Sequence, residues 1–205
     1  MTEWHFYEPH AGHGLPHDPL NAIVAPRPIG WISTMSAAGV RNLAPYSFFN
    51  LVNYTPPLIA FSSMGWKDSV ANVAETRDFV WNLVTRDLAE VMNATSAGVS
   101  SDVDEFALAG IEQTPSRLVA PPRVAASPVA FECVLTQLIR LEDKAGRALD
   151  QWLVIGEAIG IHIDRAMLEE GVYQTARAHP ISRGGGPADY FETRDDALFK
   201  LWRPR

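Results

Sequence analysis

Two short stretches of this chain carry small polar side chains where a structural strand would ordinarily carry bulk. In Arg27-Pro28-Ile29-Gly30-Trp31-Ile32-Ser33-Thr34 and Asn42-Leu43-Ala44-Pro45-Tyr46-Ser47-Phe48-Phe49, the residues Ser33, Thr34, Asn42 and Ser47 set donors and acceptors beside Gly30 and Ala44. Strand positions usually take β-branched or aromatic residues. The pattern therefore suits a surface that a flat ligand approaches closely, with a few polar groups to orient it. The plainer alternative is that these hydroxyls satisfy local backbone. A second constellation is Ser62-Ser63, then Lys67-Asp68-Ser69, with Asn72 one turn later. Lys67 offers a mobile cationic donor, Ser69 a hydroxyl, and the free amides of a helix start favour an anion. That is the physics of a phosphate cradle without a glycine-rich loop. Read alone, the same residues also suit a solvated Lys67 and an Asp68 that merely caps the helix.

Other chemistries find less support. His10, His13 and His17, with His5 close by, match no zinc-ligand spacing and have no paired cysteines beside them, so no metal site is expected. Glu105 and Glu132 read as hydrogen-bonding residues of their own elements. Nothing resembles a nucleophile elbow, and no GxGxxG turn follows the first strand, which argues against a Rossmann cofactor domain. No side chain is assigned a catalytic role. The formal net charge of −7, from 24 acidic and 17 basic residues, argues against nucleic acid or an anionic membrane surface as partner. No apolar stretch approaches the ~20 residues that span a bilayer, and Met1–Pro9 is aromatic and acidic, unlike a signal peptide. Cys133, the only cysteine, lies in an apolar run and reads as a small buried hydrophobe, with no intrachain disulfide possible. A cytoplasmic protein is the expectation.

The elements that must hold these residues are mostly strands. Ile29–Met35 leads through Ser36-Ala37-Ala38-Gly39 into Val40–Phe49, and Leu58–Ser63 follows Pro56-Pro57. Ser69–Glu75 is expected as a short helix capped by Asp68, Phe79–Val84 as a strand, Asp87–Ser96 as a helix, and Asp102–Ala109 as a short helix ended by Gly110. Pro115 to Pro128 reads as an extended connection. Val129–Glu142 and Asp150–Ile163, joined by Asp143-Lys144-Ala145-Gly146, form a hairpin. Residues 1–19 read as an irregular arm lying on the core, and residues 164–205 as a mixed tail, all within one domain. At least six strands with short helices between them suggest a closed antiparallel barrel.

The motifs together resemble the flavin-reductase-like proteins with an FMN-binding split barrel. The flavoredoxin-type branch, which includes the flavin reductase component of nitrilotriacetate monooxygenase, is the most similar. Beyond Pro26–Thr34, Asn42–Phe49 and Lys67-Asp68-Ser69, the matches are Asn82, Glu105-Phe106, Glu132-Cys133, Gly156-Glu157 and Arg183-Gly184-Gly185 with Tyr190. They run from about Gly12 to Tyr190. The resemblance implies a mainly β fold, an antiparallel Greek-key split β-barrel with short peripheral helices, and FMN as cofactor. It places Ser33, Thr34, Asn42, Ala44 and Ser47 along the isoalloxazine and ribityl chain. Ser62, Ser63, Lys67, Asp68 and Ser69 would surround the ribityl–phosphate end, Arg27 would be a further partner for phosphate or flavin carbonyls, and the site would extend toward Arg183. His17, in the shared run Gly14–Pro19, would pack or sit at the site rim. Many relatives have Thr where this chain has Ser69, which keeps the hydroxyl; Gly186-Pro187 is a further small departure.

The implied activity is hydride transfer from NADH or NADPH to flavin, with electrons passing on to free flavin or a partner monooxygenase. The implied assembly is a homodimer with FMN at the subunit interface. Two alternatives stand beside it: an FMN-dependent oxygenase or reductase acting directly on an organic substrate, and a non-catalytic flavin-binding electron carrier.

Overall fold

The two longest apolar runs of the sequence form one antiparallel hairpin, and the barrel is built outward from it. The structure, a computed structural model, describes residues 2–204. In chain order its first strands are β1 (Arg27–Pro28), β2 (Gly30–Met35), β3 (Arg41–Tyr46), β4 (Phe49–Asn53), β5 (Leu58–Met64) and β6 (Asp78–Asn82). Then come β7 (Gln113–Thr114), β8 (Arg123–Val124) and the long hairpin β9 (Val129–Glu142) and β10 (Ala148–Ile163). The C-terminal part adds β11 (Leu168–Glu169), β12 (Val172–Tyr173), β13 (Ile181–Arg183) and β14 (Tyr190–Glu192). Short helices lie between: α1 (Leu20–Ile23), α2 (Asp68–Thr76), α3 (Ala89–Ala94) and α4 (Glu105–Leu108).

Seven strands make one sheet in the order β3-β2-β6-β9-β10-β5-β4, every pairing antiparallel. Its two edge strands, β3 and β4, are consecutive in the chain with only Ser47 and Phe48 between them. Edges joined by so short a link have to be neighbours, so the sheet curls round on itself. Tyr46 at the end of β3 packs its ring 4.8 Å from that of Phe61 on β5, and the Ser62 N–H donates to the Phe48 carbonyl at 2.8 Å. No ladder among the described residues joins β3 to β4, so the barrel is split along that seam. The fold is the mainly β split barrel with short peripheral helices that the sequence resemblance implies.

Alternation along β2 supplies two cores. Ile32 faces the barrel interior with Phe61, Phe79, Cys133 and Val154, and α2 presses Val70 and Val73 into the same cluster. Trp31, on the other face, joins Leu43, Met92 of α3 and Phe106 of α4 in a second cluster. Burial pushes the Cys133 thiol far up, so it behaves as the small hydrophobe expected. Gly156 lets β10 close over Phe79: a Cβ there would stand 2.3 Å from the ring and 3.2 Å from the Val134 carbonyl. Gly156→Ala is expected to lower folding stability by about 1–3 kcal/mol, the usual scale for overpacking a tight core. A denaturant midpoint equal to the parent's would show that Phe79 has room to move.

Several expectations from the sequence change here. The single run Val40–Phe49 is broken at Ser47-Phe48, because that is where the chain crosses the seam. The helix expected over Asp87–Ser96 is reduced to α3, and the Pro115–Pro128 connection contains β8, which pairs with β7. Asp68 does not cap α2: Lys67 occupies the cap position with extended backbone (φ −87°, ψ 170°), and no side chain caps the helix. Asp68 is the first helical residue, where its charge suits the helix dipole but its carboxylate makes no cap bond. Gly30 gives its space to the Phe49 ring, 2.7 Å from where a Cβ would sit, and not to a ligand. The arm at residues 2–19 does not bury its aromatic side chains in the core, Trp4 and Phe6 being 85% and 84% exposed. The C-terminal part is ordered around β13, which pairs with both β1 and β14. Among the described residues no helix is long and apolar enough to cross a membrane.

Candidate flavin site

The uncapped start of α2 opens into a cleft of about 380 Å³. It is lined by Asn42, Ala44, Pro45 and Tyr46 of β3, by Lys67, Asp68 and Ser69 at the start of α2, and by Glu105 and Thr95–Val99; Glu105 is near enough to Asp68 to feel its charge. An adjoining cleft of about 260 Å³ shares Pro45, Tyr46 and Ser96 with the first and adds Ser47, Arg183 and Tyr190. The two make one trough along β3.

A buried amide–hydroxyl network braces the first cleft from beneath. Asn42 Nδ2 donates to Thr34 Oγ1 at 3.1 Å and to Ser69 Oγ at 2.8 Å, and Asn72 Nδ2 donates to the same Thr34 oxygen at 3.0 Å. Ser69 Oγ therefore accepts from inside the protein, which leaves its own proton to donate to a neighbour or a ligand. Lys67 is exposed and has no ion-pair partner among the described residues. The first amides of α2 lack intrahelical acceptors, as in any helix, and here no side chain takes their place.

The structure thus brings Asn42, Ala44, Lys67, Asp68 and Ser69 together and adds Ser47 and Arg183 along the trough. The remaining candidates lie elsewhere. Thr34 is buried one layer below the cleft. Ser33 pairs across the sheet with Leu43, is fully buried on the Trp31 face, and its hydroxyl has no partner. Ser63 donates to the Gly65 carbonyl at 3.0 Å, and Ser62 accepts from Gln151 Nε2 at 2.6 Å. Arg27 is buried, and its guanidinium is taken up by three carbonyls: Asn21, Val24 at 2.5 Å and Gly184 at 3.0 Å. It ties α1 to the glycine-rich loop after β13. Arg183 spends its guanidinium in the same region, on the carbonyls of Gly186, Pro187 and Asp189 at 2.9–3.0 Å, with the Tyr190 ring 4.9 Å away. It shapes the rim of the second cleft.

Three residues of the trough lie outside the set expected from the sequence to contact the flavin. Tyr46 lines both clefts; burial pushes its phenol up, against the partly opposing Ser69 and Ser63 hydroxyls, so it remains a hydrogen-bond donor at neutral pH. Its signal was the alternation that puts Tyr46 on the same face as Ala44 and Asn42. Thr95 fixes the opposite wall by accepting from Trp31 Nε1 at 3.0 Å and donating to the Met92 carbonyl at 2.7 Å. Glu105 lines the cleft while accepting from the Leu43 N–H at 3.0 Å. Glu132 lines none of the clefts. It is fully buried and accepts from the N–H groups of Arg117 and Leu118 and from His162; those partners outweigh the burial and hold its carboxyl below the usual range.

The donor set fits a phosphate-bearing flat ligand. A cation, the Ser69 hydroxyl and uncapped helix amides gather at one end, and small or aromatic side chains border the rest.

The sequence pattern of the flavin reductase like domain matches residues 24–182. An uncharacterized protein of Aquifex aeolicus is 37% identical over 172 residues, 80% of this chain and 83% of its own length. Among solved structures, nitrilotriacetate monooxygenase component B from Bacillus cereus superposes with a TM-score of 0.82 at 29% identity, covering 89% of this chain and 90% of that one. The Pseudomonas fluorescens 2-nitrobenzoate 2-nitroreductase superposes with a TM-score of 0.78, also at 29% identity, covering 90% and 88%. By sequence and by shape, the chain belongs to the flavin reductase like domain family, and its broad class is that of a flavin-binding oxidoreductase.

Proposed function

We propose that the chain binds FMN in the trough along β3 and works as an NAD(P)H-dependent flavin reductase, passing reduced flavin or electrons to a partner such as a monooxygenase. The observation that carries this reading is the uncapped start of α2, with Lys67 and Ser69, at the end of a cleft walled by Ala44 and Tyr46. Lys67, the Ser69 hydroxyl and the first amides of α2 hold the phosphate. Asn42 and Asp68 stand where the ribityl hydroxyls run, both as acceptors, since the two amide protons of Asn42 are spent on Thr34 and Ser69. Ala44 and Tyr46 border the ring, and Ser47 and the Arg183-shaped rim bound its far side. Thr34 and Asn72 keep Asn42 and Ser69 in place, and Ser33, Ser62, Ser63 and Arg27 support the walls.

FMN supplies its own redox chemistry when bound, so the side chains have to bind, orient and control access. No proton donor or acceptor among them is needed to receive a hydride. The exposed edge of the sheet suits the pairing of two copies: Leu51, Val52 and Tyr54 of the β4 region stand 49%, 54% and 86% exposed. A buried free thiol as the one cysteine fits a reducing compartment, the cytoplasm.

The similarity to a nitroreductase favours one second reading, direct reduction of an organic substrate by the bound flavin. Anaerobic stopped-flow mixing of the FMN-loaded protein with NADH or NADPH separates the two. Bleaching of the flavin absorbance without any further substrate is expected. A flavin that bleaches only when an organic substrate is also present would replace the first reading with the second, and one that never bleaches would leave an electron carrier.

A further inference from the structure

One cation faces two carboxyls in the first cleft: Lys67 against Asp68 and Glu105. Asp68 is half-buried, and Glu105 is only 5% exposed. Asp104, beside Glu105 in the chain, is engaged elsewhere: Arg41 pairs with it at 2.7 Å, and it caps α4 through the N–H groups of Phe106 and Ala107. Glu105 has no cation partner among the described residues. Its recorded support from β3 is the Leu43 N–H, and the charges that act on it, Asp68 and Asp104, carry its own sign. The phenol of Tyr46 shares its wall. Two backbone N–H groups, that of Leu43 and its own, compensate incompletely for a buried carboxylate. Burial accordingly pushes the Glu105 carboxyl up from its usual range, and the two like charges add to the effect.

We propose that Glu105 sets the charge of the phosphate end of the cleft, so that its protonation tightens a bound phosphomonoester and its ionisation loosens it. This rests on the flavin-phosphate reading above. With Glu105 ionised, an arriving phosphate dianion meets two carboxylates and one ammonium; with Glu105 neutral, the charges of Lys67 and Asp68 balance. Linkage then requires that binding the phosphate draws a proton onto Glu105, and that affinity falls as pH rises through the pKa of that group. The second ionisation of the phosphate itself, with a pKa of about 6, acts in the opposite sense; it is common to parent and variant, so their difference isolates the protein's part. A protein built this way holds FMN more firmly below the pKa of Glu105 than above it.

Calorimetric titration of the whole protein with FMN over a pH series, in two buffers of different ionisation enthalpy at each pH, is expected to show proton uptake in part of the range. Glu105→Gln, which keeps an acceptor for the Leu43 N–H, is expected to lose that uptake and to bind FMN about 3–10-fold more tightly at alkaline pH. Riboflavin, which lacks the phosphate, is expected to bind parent and variant alike. FMN binding without proton uptake by the parent at any pH overturns the proposal and needs no variant. An equal change for FMN and riboflavin in Glu105→Gln also overturns it, because it marks a structural disturbance. Failure of either flavin to bind the parent at any pH would bring down the flavin reading itself.

Discussion

Phe61→Ala is expected to lower folding stability by about 3–5 kcal/mol, the scale for deleting a buried aromatic ring and leaving its cavity. Phe61 is fully buried, with Tyr46 at 4.8 Å and Phe79 at 5.7 Å between ring centroids. It stands where the curled sheet closes on itself, and β3 and β4 are joined there by two residues and no ladder. Side-chain packing does at the seam what backbone hydrogen bonds do elsewhere in the barrel. A domain has only about 5–15 kcal/mol of net stability, so the variant should be studied in the cold, by urea denaturation against the parent. A loss below about 1.5 kcal/mol, the range of a volume-conserving swap, would mean that the seam is held by something other than this ring stack. FMN affinity is expected to fall with stability, because Tyr46 is both a seam residue and a cleft wall.

Lys67→Ala is expected to weaken FMN by about 1.5–3 kcal/mol, or roughly 10–150-fold, as for loss of a charge-assisted hydrogen bond to phosphate. The side chain is exposed and has no ion-pair partner among the described residues, so its removal opens no cavity, and the melting temperature is expected to stay near the parent's. Riboflavin affinity is expected to change little. That contrast between two ligands differing by one phosphate makes the measurement specific: a parallel loss for both would place Lys67 at the ring, and no loss for either would remove it from the site. The uncapped amides of α2 and the Ser69 hydroxyl remain in the variant, so binding should weaken without vanishing.

The parts of the fold and site that were legible in the sequence are those made by neighbours along the chain. The β9–β10 hairpin followed from two long apolar runs around a turn. Asn42, Ala44 and Tyr46 share a wall through simple strand alternation, and Lys67 to Ser69 are consecutive. What the sequence hid depends on distant contacts. Arg27 looked like an anion ligand because nothing local showed that carbonyls from α1 and from Gly184 would surround its guanidinium. Gly30 looked like room for a ligand, and the ring that fills it belongs to Phe49 on the far side of the seam. Glu105 read as a hydrogen-bonding residue of its own element, and its place in the cleft was hidden because it follows from α4 packing onto β3. Arg183 was found, but its guanidinium shapes a loop.

Tyr46 constrains how this site can change. Its ring belongs to the barrel core, and its edge borders both halves of the trough. Substitution there alters the foundations and the furnishings together, so drift or redesign toward a different ring-shaped ligand has little freedom at that position. The adaptable positions are Ser47, Ser96 and Tyr190, which border the trough from loops or a short peripheral strand and are not part of the barrel core. New specificities in a scaffold of this kind should therefore accumulate along the loop rim and leave the strand floor nearly constant.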